Sequence, residues 1–214
     1  MPQIIETVVY PIGELCDSAK HAARAWYRQH CMDHAWYDFV YEDFKTICSI
    51  LGIALRTSPA RLVGGATRDL PHIYFRGFWS QGDGACFEGT YSYARGAAAS
   101  IRIHAPLDTR LHAIADSLQA VQRRNFYQCH ARIEHRDRYY HEYSMAISAE
   151  RDSATWQPMT ADAEDTIAEA LRDLARWLYR QLESEYWHQT SDEAVDEMLA
   201  MNDHTFTADG ERFG

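Results

Sequence analysis

Lysine, long apolar runs and patterned cysteines are scarce in this chain. Only 2 of its 21 basic residues are lysine, Lys20 and Lys45. No lysine follows Gly82-Asp83-Gly84 at P-loop spacing, which removes the phosphate-cradle reading of that glycine-rich turn. No stretch approaches the roughly 18 apolar residues that a membrane span needs. The opening MPQIIETVVYPIGELC has neither a basic n-region nor a sustained apolar h-region, so a cytoplasmic protein is expected. Five cysteines, Cys16, Cys31, Cys48, Cys86 and Cys129, are an odd number at wide spacings. That pattern fits reduced core thiols better than a disulfide framework. Internal repeats, low-complexity tracts and proline-rich linkers are absent.

What is present suits a folded domain. The 214 residues are 46% apolar, enough for a sizeable core, and a single α+β domain over 1–214 is expected. Charge is unevenly spread. Residues 1–159 hold 17 acidic and 17 basic side chains, and residues 160–214 hold 14 acidic and 4 basic. The formal charge of -10 therefore sits in the last quarter, largely in an acidic helical segment over 160–203. A broad basic footprint is lacking, and direct nucleic-acid binding is not expected.

Periodicity predicts the elements. Thr7 to Tyr10 is a strand candidate. Ala19, Ala22, Ala23 and Trp26 recur at helical spacing over Ser18 to Cys31. A second helix follows, with Asp33 as cap, Trp36, Val40, Phe44, Ile47 and Leu51 as its apolar stripe, and Gly52 as its end. Ser58 to Pro71 reads as a surface loop, and Ala98 to His104 as a further strand or an irregular lead-in. Asp108 caps a helix whose Leu111, Ile114, Ala115, Leu118 and Val121 face inward. Cys129, Ala131 and Ile133, then Tyr143, Met145 and Ile147, form the inward face of one hairpin. Thr160 caps the longest helix, which carries Ile167, Leu171, Leu174, Leu178 and Leu182. Thr190-Ser191-Asp192-Glu193 reads as a capping box before a last helix and a polar tail holding Phe206 and Phe213. The fold class is α+β: an antiparallel sheet of two or more hairpins packed on four to five helices.

The other hairpin, Ile73 to Tyr93, has period two, with Ile73, Phe75, Trp79, Phe87, Tyr91 and Tyr93 on one face. Centring its turn on Asp83 within Gly82-Asp83-Gly84 pairs Ile73 with Tyr93, Phe75 with Tyr91, Trp79 with Phe87 and Gly77 with Gly89. Facing glycines imply a bend or a close approach by another backbone or a ligand.

No constellation specifies chemistry outright. His30, Cys31 and His34 have helical spacing for a metal but lack further ligands, and no metal or cofactor is expected. His135-Arg136-Asp137 is like a kinase catalytic loop without its accompanying motifs. Asp83, Glu88, His141 and Glu142 are acid/base candidates that would have to converge near the 73–93 hairpin, the enzyme alternative. No residue is assigned as catalytic. A DNA-binding autoregulator using arginines of 123–138, as a homodimer, is another alternative. The main surface signal is the row Glu183, Glu185, Asp192, Glu193, Asp196 and Glu197, a negative field able to steer a protein partner with a basic surface.

Tyr41-Glu42-Asp43-Phe44-Lys45-Thr46 and, more distinctively, Gly77-Phe78-Trp79-Ser80-Gln81-Gly82-Asp83-Gly84-Ala85-Cys86-Phe87-Glu88-Gly89 resemble a family of bacterial and prophage proteins often labelled antitoxin-like. The similarity continues through Arg123-Arg124-Asn125-Phe126-Tyr127 and Tyr140-His141-Glu142-Tyr143. The resemblance implies a mobile-element or phage accessory protein in a host bacterial cytoplasm, one that binds and neutralises a toxin or, like an anti-CRISPR protein, a defence effector. It supplies no catalytic motif.

Overall fold

The computed structural model describes residues 6–32, 35–61 and 64–213. In chain order its elements are β1 (Tyr10–Pro11), α1 (Asp17–His30), α2 (Asp38–Leu51), β2 (Ile53–Leu55), β3 (Thr57–Arg61), β4 (Thr67–Pro71), β5 (Ile73–Arg76), β6 (Gly84–Phe87), β7 (Gly89–Ser92), α3 (Ala97–His104), α4 (Thr109–Arg124), β8 (Cys129–His135), β9 (Met145–Arg151), α5 (Ala163–Gln189), α6 (Asp192–Met201), β10 (Thr205–Phe206) and β11 (Arg212–Phe213). Every strand pairing is antiparallel, and the fold is α+β. Contacts gather in two compact units, Phe39–Glu183 and the pair of segments Met1–Asp38 with Ser184–Gly214.

The larger unit is built on a four-stranded sheet in the order β2-β7-β8-β9. Its inward face carries Ile53, Tyr91, Ala131, Ile133, Met145 and Ala149, all buried. Amphipathic helices supply the rest of this core through Phe44, Ile47 and Leu51 on α2, Leu111, Leu118 and Val121 on α4, and Ile167, Leu171, Leu174, Leu178 and Leu182 on α5. These stripes recur at three and four residues, so one face of each helix buries apolar surface. Two polar links tie helices to the sheet. Gln122 on α4 is fully buried, donates to the Cys129 carbonyl and accepts from the Cys129 amide. The Ala149 amide on β9 donates to Glu164 on α5. Asp108 caps α4 as expected, accepting from the amides of Arg110 and Leu111.

The smaller unit packs α1 and α6 around Ile12, Leu15, Ala19, Ala23, Tyr27, Val195, Leu199 and Phe206. Its sheet, in the order β1-β10-β11, joins residues 10–11 to the C-terminal segment. Phe206 is completely buried there, so the tail is not simply polar.

Several local expectations change. The first strand is only Tyr10–Pro11, since a lone edge segment finds two residues of pairing on β10. Trp36 precedes α2, and Asp33 lies outside the described residues. Residues 57–61 and 67–71 pair as β3 and β4 instead of lying in a loop, and 97–104 form helix α3 instead of a strand. Tyr143 points outward, 67% exposed, because the chain makes a short 3-10 turn over Glu142–Ser144 before β9 begins. Helix α5 starts at Ala163, and the Thr160 hydroxyl accepts from Asn125 instead of capping. Ser191 caps α6 by accepting from the Ala194 amide, which puts alanine where a capping box needs Glu or Gln.

The 73–93 hairpin is the largest correction. Strand β5 pairs with β6 in the register Ile73 with Phe87, Tyr74 with Cys86, Phe75 with Ala85 and Arg76 with Gly84. Strand β7 pairs instead with β2 and β8, so Gly89 opposes Leu55 and Ile133, not Gly77. Gly84 to Gly89 are all buried. With both faces covered, alternation no longer distinguishes one register from another.

Candidate functional site

Three single residues interrupt the strands of the larger unit. Arg56 separates β2 from β3, His72 separates β4 from β5, and Glu88 separates β6 from β7. Their main chains close on one another: the Arg56 amide donates to the Glu88 carbonyl at 2.9 Å, the His72 amide to the Arg56 carbonyl at 2.8 Å, and the Glu88 amide to the His72 carbonyl at 3.0 Å. From this ring the pairs β2–β7, β3–β4 and β5–β6 diverge. The branch costs no unpaired amide, because each interrupted strand supplies the donor that its neighbour lacks.

The side chains at the branch form a relay. Glu88 is 9% exposed, and a buried carboxylate requires partners. One of its oxygens is hydrogen-bonded to His72 Nδ1. The other accepts from the His135 amide at 3.1 Å and lies 3.8 Å from the Arg56 guanidinium. On the far side of the imidazole, His72 Nε2 stands 2.6 Å from Ser58 Oγ. Burial pushes the Glu88 carboxyl up, but the bonds from His72 and the His135 amide, with the Arg56 charge, outweigh it and hold the group below its ordinary range. Glu88 is therefore an anion that only accepts. Its bond to His72 calls for a proton on Nδ1, so in the neutral imidazole Nε2 is the nitrogen that accepts the Ser58 hydroxyl. Exposure is graded along the relay, from an exposed Ser58 through a half-buried His72 to a buried Glu88.

Rings flank the imidazole. His72 contacts Tyr74, which stacks on Tyr140 at 5.2 Å, and His135 lies against both tyrosines. Burial pushes the Cys86 thiol up to about 12 and the Cys48 thiol well up.

Of the acid/base candidates read from the sequence, only Glu88 joins this group. Asp83 accepts from the amides of Trp79 and Ser80 and closes its own turn. His141 accepts from the Tyr143 amide, and Glu142 pairs with Arg176 at 3.1 Å. The glycines have backbone roles. Gly77 and Gly82 adopt positive φ, 47° and 92°. A Cβ on Gly84 would meet His141, and one on Gly89 would overlap the Ala54 carbonyl. Of the proposed metal ligands, His30 bonds the Trp26 carbonyl, and His34 lies outside the described residues.

The acidic row divides. Asp196 takes two bonds from Arg24, at 2.7 and 2.6 Å, and Asp192 is bonded by Arg24 and Arg28. These carboxylates hold α6 to α1. Glu185 accepts from Gln189. Glu193 and Glu197 are exposed and make no ion pair among the described residues, and Glu183, half-buried in the other unit, makes none among them either.

Neither Ser58 nor His72 is a site candidate in the sequence reading. They lie 14 residues apart, Ser58 at the start of the stretch taken as loop and His72 directly after its end. The Gly64-Gly65 pair, with Gly65 at φ 83°, was the available sign of a hairpin turn that would bring them together.

Residues 36–192 match the family described as a domain of unknown function (DUF8835). The chain belongs to the DUF8835 family. The span contains the whole of the larger unit, with Ser58, His72, Glu88 and His135, and excludes α1 with Arg24 and Arg28. The relay is thus part of the DUF8835 domain, whereas the arginines that neutralise Asp192 and Asp196 lie outside it. No curated protein and no solved structure gives a significant match. Among the described residues, no helix is long and apolar enough to cross a membrane.

Proposed function

We propose that this protein is a hydrolase that works by acyl transfer, with Ser58 as nucleophile, His72 as general base and Glu88 as the group that orients the base. One observation carries the reading: Ser58 Oγ, His72 and Glu88 form a continuous hydrogen-bonded relay, with the hydroxyl at the solvent end. A serine hydroxyl is a weak nucleophile, and a base held by a third group is the usual way to activate it.

In the first half-reaction Ser58 Oγ bonds to the carbonyl carbon of an ester while its proton passes to His72 Nε2. Collapse of the tetrahedral adduct breaks the ester C–O bond, and the departing alkoxide takes that proton. Water then attacks the acyl-serine and gives a proton to His72. The Ser58–acyl bond breaks, Oγ recovers the proton, and the acid is released. Glu88 stabilises the imidazolium in both halves without itself taking the proton.

The test is labelling by a fluorophosphonate together with turnover of p-nitrophenyl acetate. Labelling confined to Ser58 and lost in Ser58→Ala and His72→Ala is the expected result. A protein that is neither labelled nor active, or is labelled equally in Ser58→Ala, would overturn the assignment.

A second reading draws on the exposed Glu193 and Glu197, which form no ion pair within 4 Å among the described residues. We propose them as the remaining contact for a protein partner with a basic surface, the setting in which an antitoxin-like or anti-defence role would act. Charge reversal at both should weaken such a complex at low salt, and an unchanged complex would make the face mere solvation.

A further inference from the structure

We infer that the ester taken by Ser58 carries an anionic group close to its scissile bond, recognised by Arg56; the inference rests on the acyl-transfer reading above. The placement comes from the strand register. Ser58 faces Leu70 across β3–β4, and Ala60 faces Arg68. Arg56 lies two residues before Ser58, and its side chain reaches the same carboxylate that holds His72. Side chains two apart share a face of a strand, so Arg56, Ser58 and Ala60 line one side with His72, Leu70 and Arg68 opposite. Two arginines therefore share the serine's face of the hairpin.

Both have donors to spare. The Arg56 side chain is 63% exposed, approaches Glu88 only at 3.8 Å, and makes no side-chain hydrogen bond among the described residues. Glu88 itself is already satisfied by His72 and the His135 amide. Arg68 is 59% exposed and reaches Glu42 only at 3.8 Å, while Glu42 takes both short bonds of Lys45. Arg56 differs from an ordinary surface arginine because its backbone belongs to the hydrogen-bonded ring that also sets His72 and Glu88. Its main chain is thus fixed two residues from the nucleophile and on the same face, and its open fork of donors can take a carboxylate or phosphate bidentately.

The experiment compares anionic esters with neutral counterparts. p-Nitrophenyl hemisuccinate is set against p-nitrophenyl butyrate, with the anion on the acyl side. 3-Acetoxybenzoate is set against phenyl acetate, with the anion on the leaving side. Wild-type protein should favour one anionic ester by about tenfold or more in kcat/KM, as expected for one charge-assisted contact. Arg56→Gln should collapse that preference, with Arg56→Lys restoring part of it. The side on which the preference appears locates the anion. Equal kcat/KM for both members of both pairs, with hydrolysis still dependent on Ser58, overturns the inference and leaves the relay standing. A preference that survives Arg56→Gln also overturns it. No Ser58-dependent hydrolysis of any of the four esters overturns the underlying reading instead.

Discussion

His72 and Glu88 are joined twice, once through the main chain, where the Glu88 amide donates to the His72 carbonyl, and once through the side chains, where His72 Nδ1 meets the Glu88 carboxylate. The double link makes the orientation of the imidazole a property of the sheet branch itself. Four predictions concern this branch and its surroundings, and a fifth the smaller unit.

Glu88→Gln keeps the shape of the branch but replaces an obligate acceptor with an amide that can also donate, which allows the wrong tautomer of His72. Turnover should fall on the order of 10³- to 10⁴-fold, as for other orienting carboxylates. Glu88→Ala should be less stable than Glu88→Gln in urea, since it leaves His72 Nδ1 and the His135 amide without an acceptor.

Acid should weaken the larger unit through the same group. Its folded pKa is depressed, so its contribution to stability is present above the unfolded value of about 4.3 and is lost as pH falls through the folded value beneath it. Urea midpoints measured from pH 7 downward should decline more steeply in the wild type than in Glu88→Gln across that window. Parallel declines would show that Glu88 has no part in acid sensitivity.

Ser58→Ala removes an exposed hydroxyl. Its thermal midpoint should match wild type to within about 0.5 kcal/mol of stability, while turnover drops by at least about a thousandfold. A large loss of stability with little loss of turnover would point to a purely structural bond with His72.

Gly89→Ala should destabilise the protein by about 2–3 kcal/mol, because the new Cβ overlaps the Ala54 carbonyl and neither strand can move without breaking the β2–β7 ladder. Gly64→Ala, where no described residue lies within 4 Å of the added Cβ, is the matched control, and chemical denaturation compares the two.

In the smaller unit, a double-mutant cycle on Arg24→Ala and Asp196→Ala should give a coupling of about 1 kcal/mol, since the pair is bidentate and partly buried. A coupling near zero would release Asp196 for an outside partner.

Much of the helical structure was legible beforehand. Residues 17–30, 38–51, 109–124 and 163–189 carry apolar stripes of helical period, and such stripes are local. The β8–β9 hairpin was legible for a similar reason, because Cys129, Ala131 and Ile133 are buried while His130 and Arg132 face solvent. The buried run from Gly84 to Gly89 shows no such contrast, so its register was set by partners far away in the chain. Residues 97–104 failed differently, because an alanine-rich helix with only Ile101 fully buried leaves a weak stripe.

By itself the sequence determined an α+β chain with amphipathic helices, unpaired cysteines and an acidic last quarter, since composition and short-range periodicity carry those properties. Only the tertiary structure decided that Arg56, His72 and Glu88 are one-residue breaks whose amides and carbonyls bond to each other. Nothing in the neighbouring residues marks such a break, because its hydrogen bonds span 16 residues or more. The same holds for the relay. Ser58, His72 and Glu88 are ordinary residues in sequence, and they join into one hydrogen-bonded relay only where three pairs of strands diverge from one ring of backbone bonds.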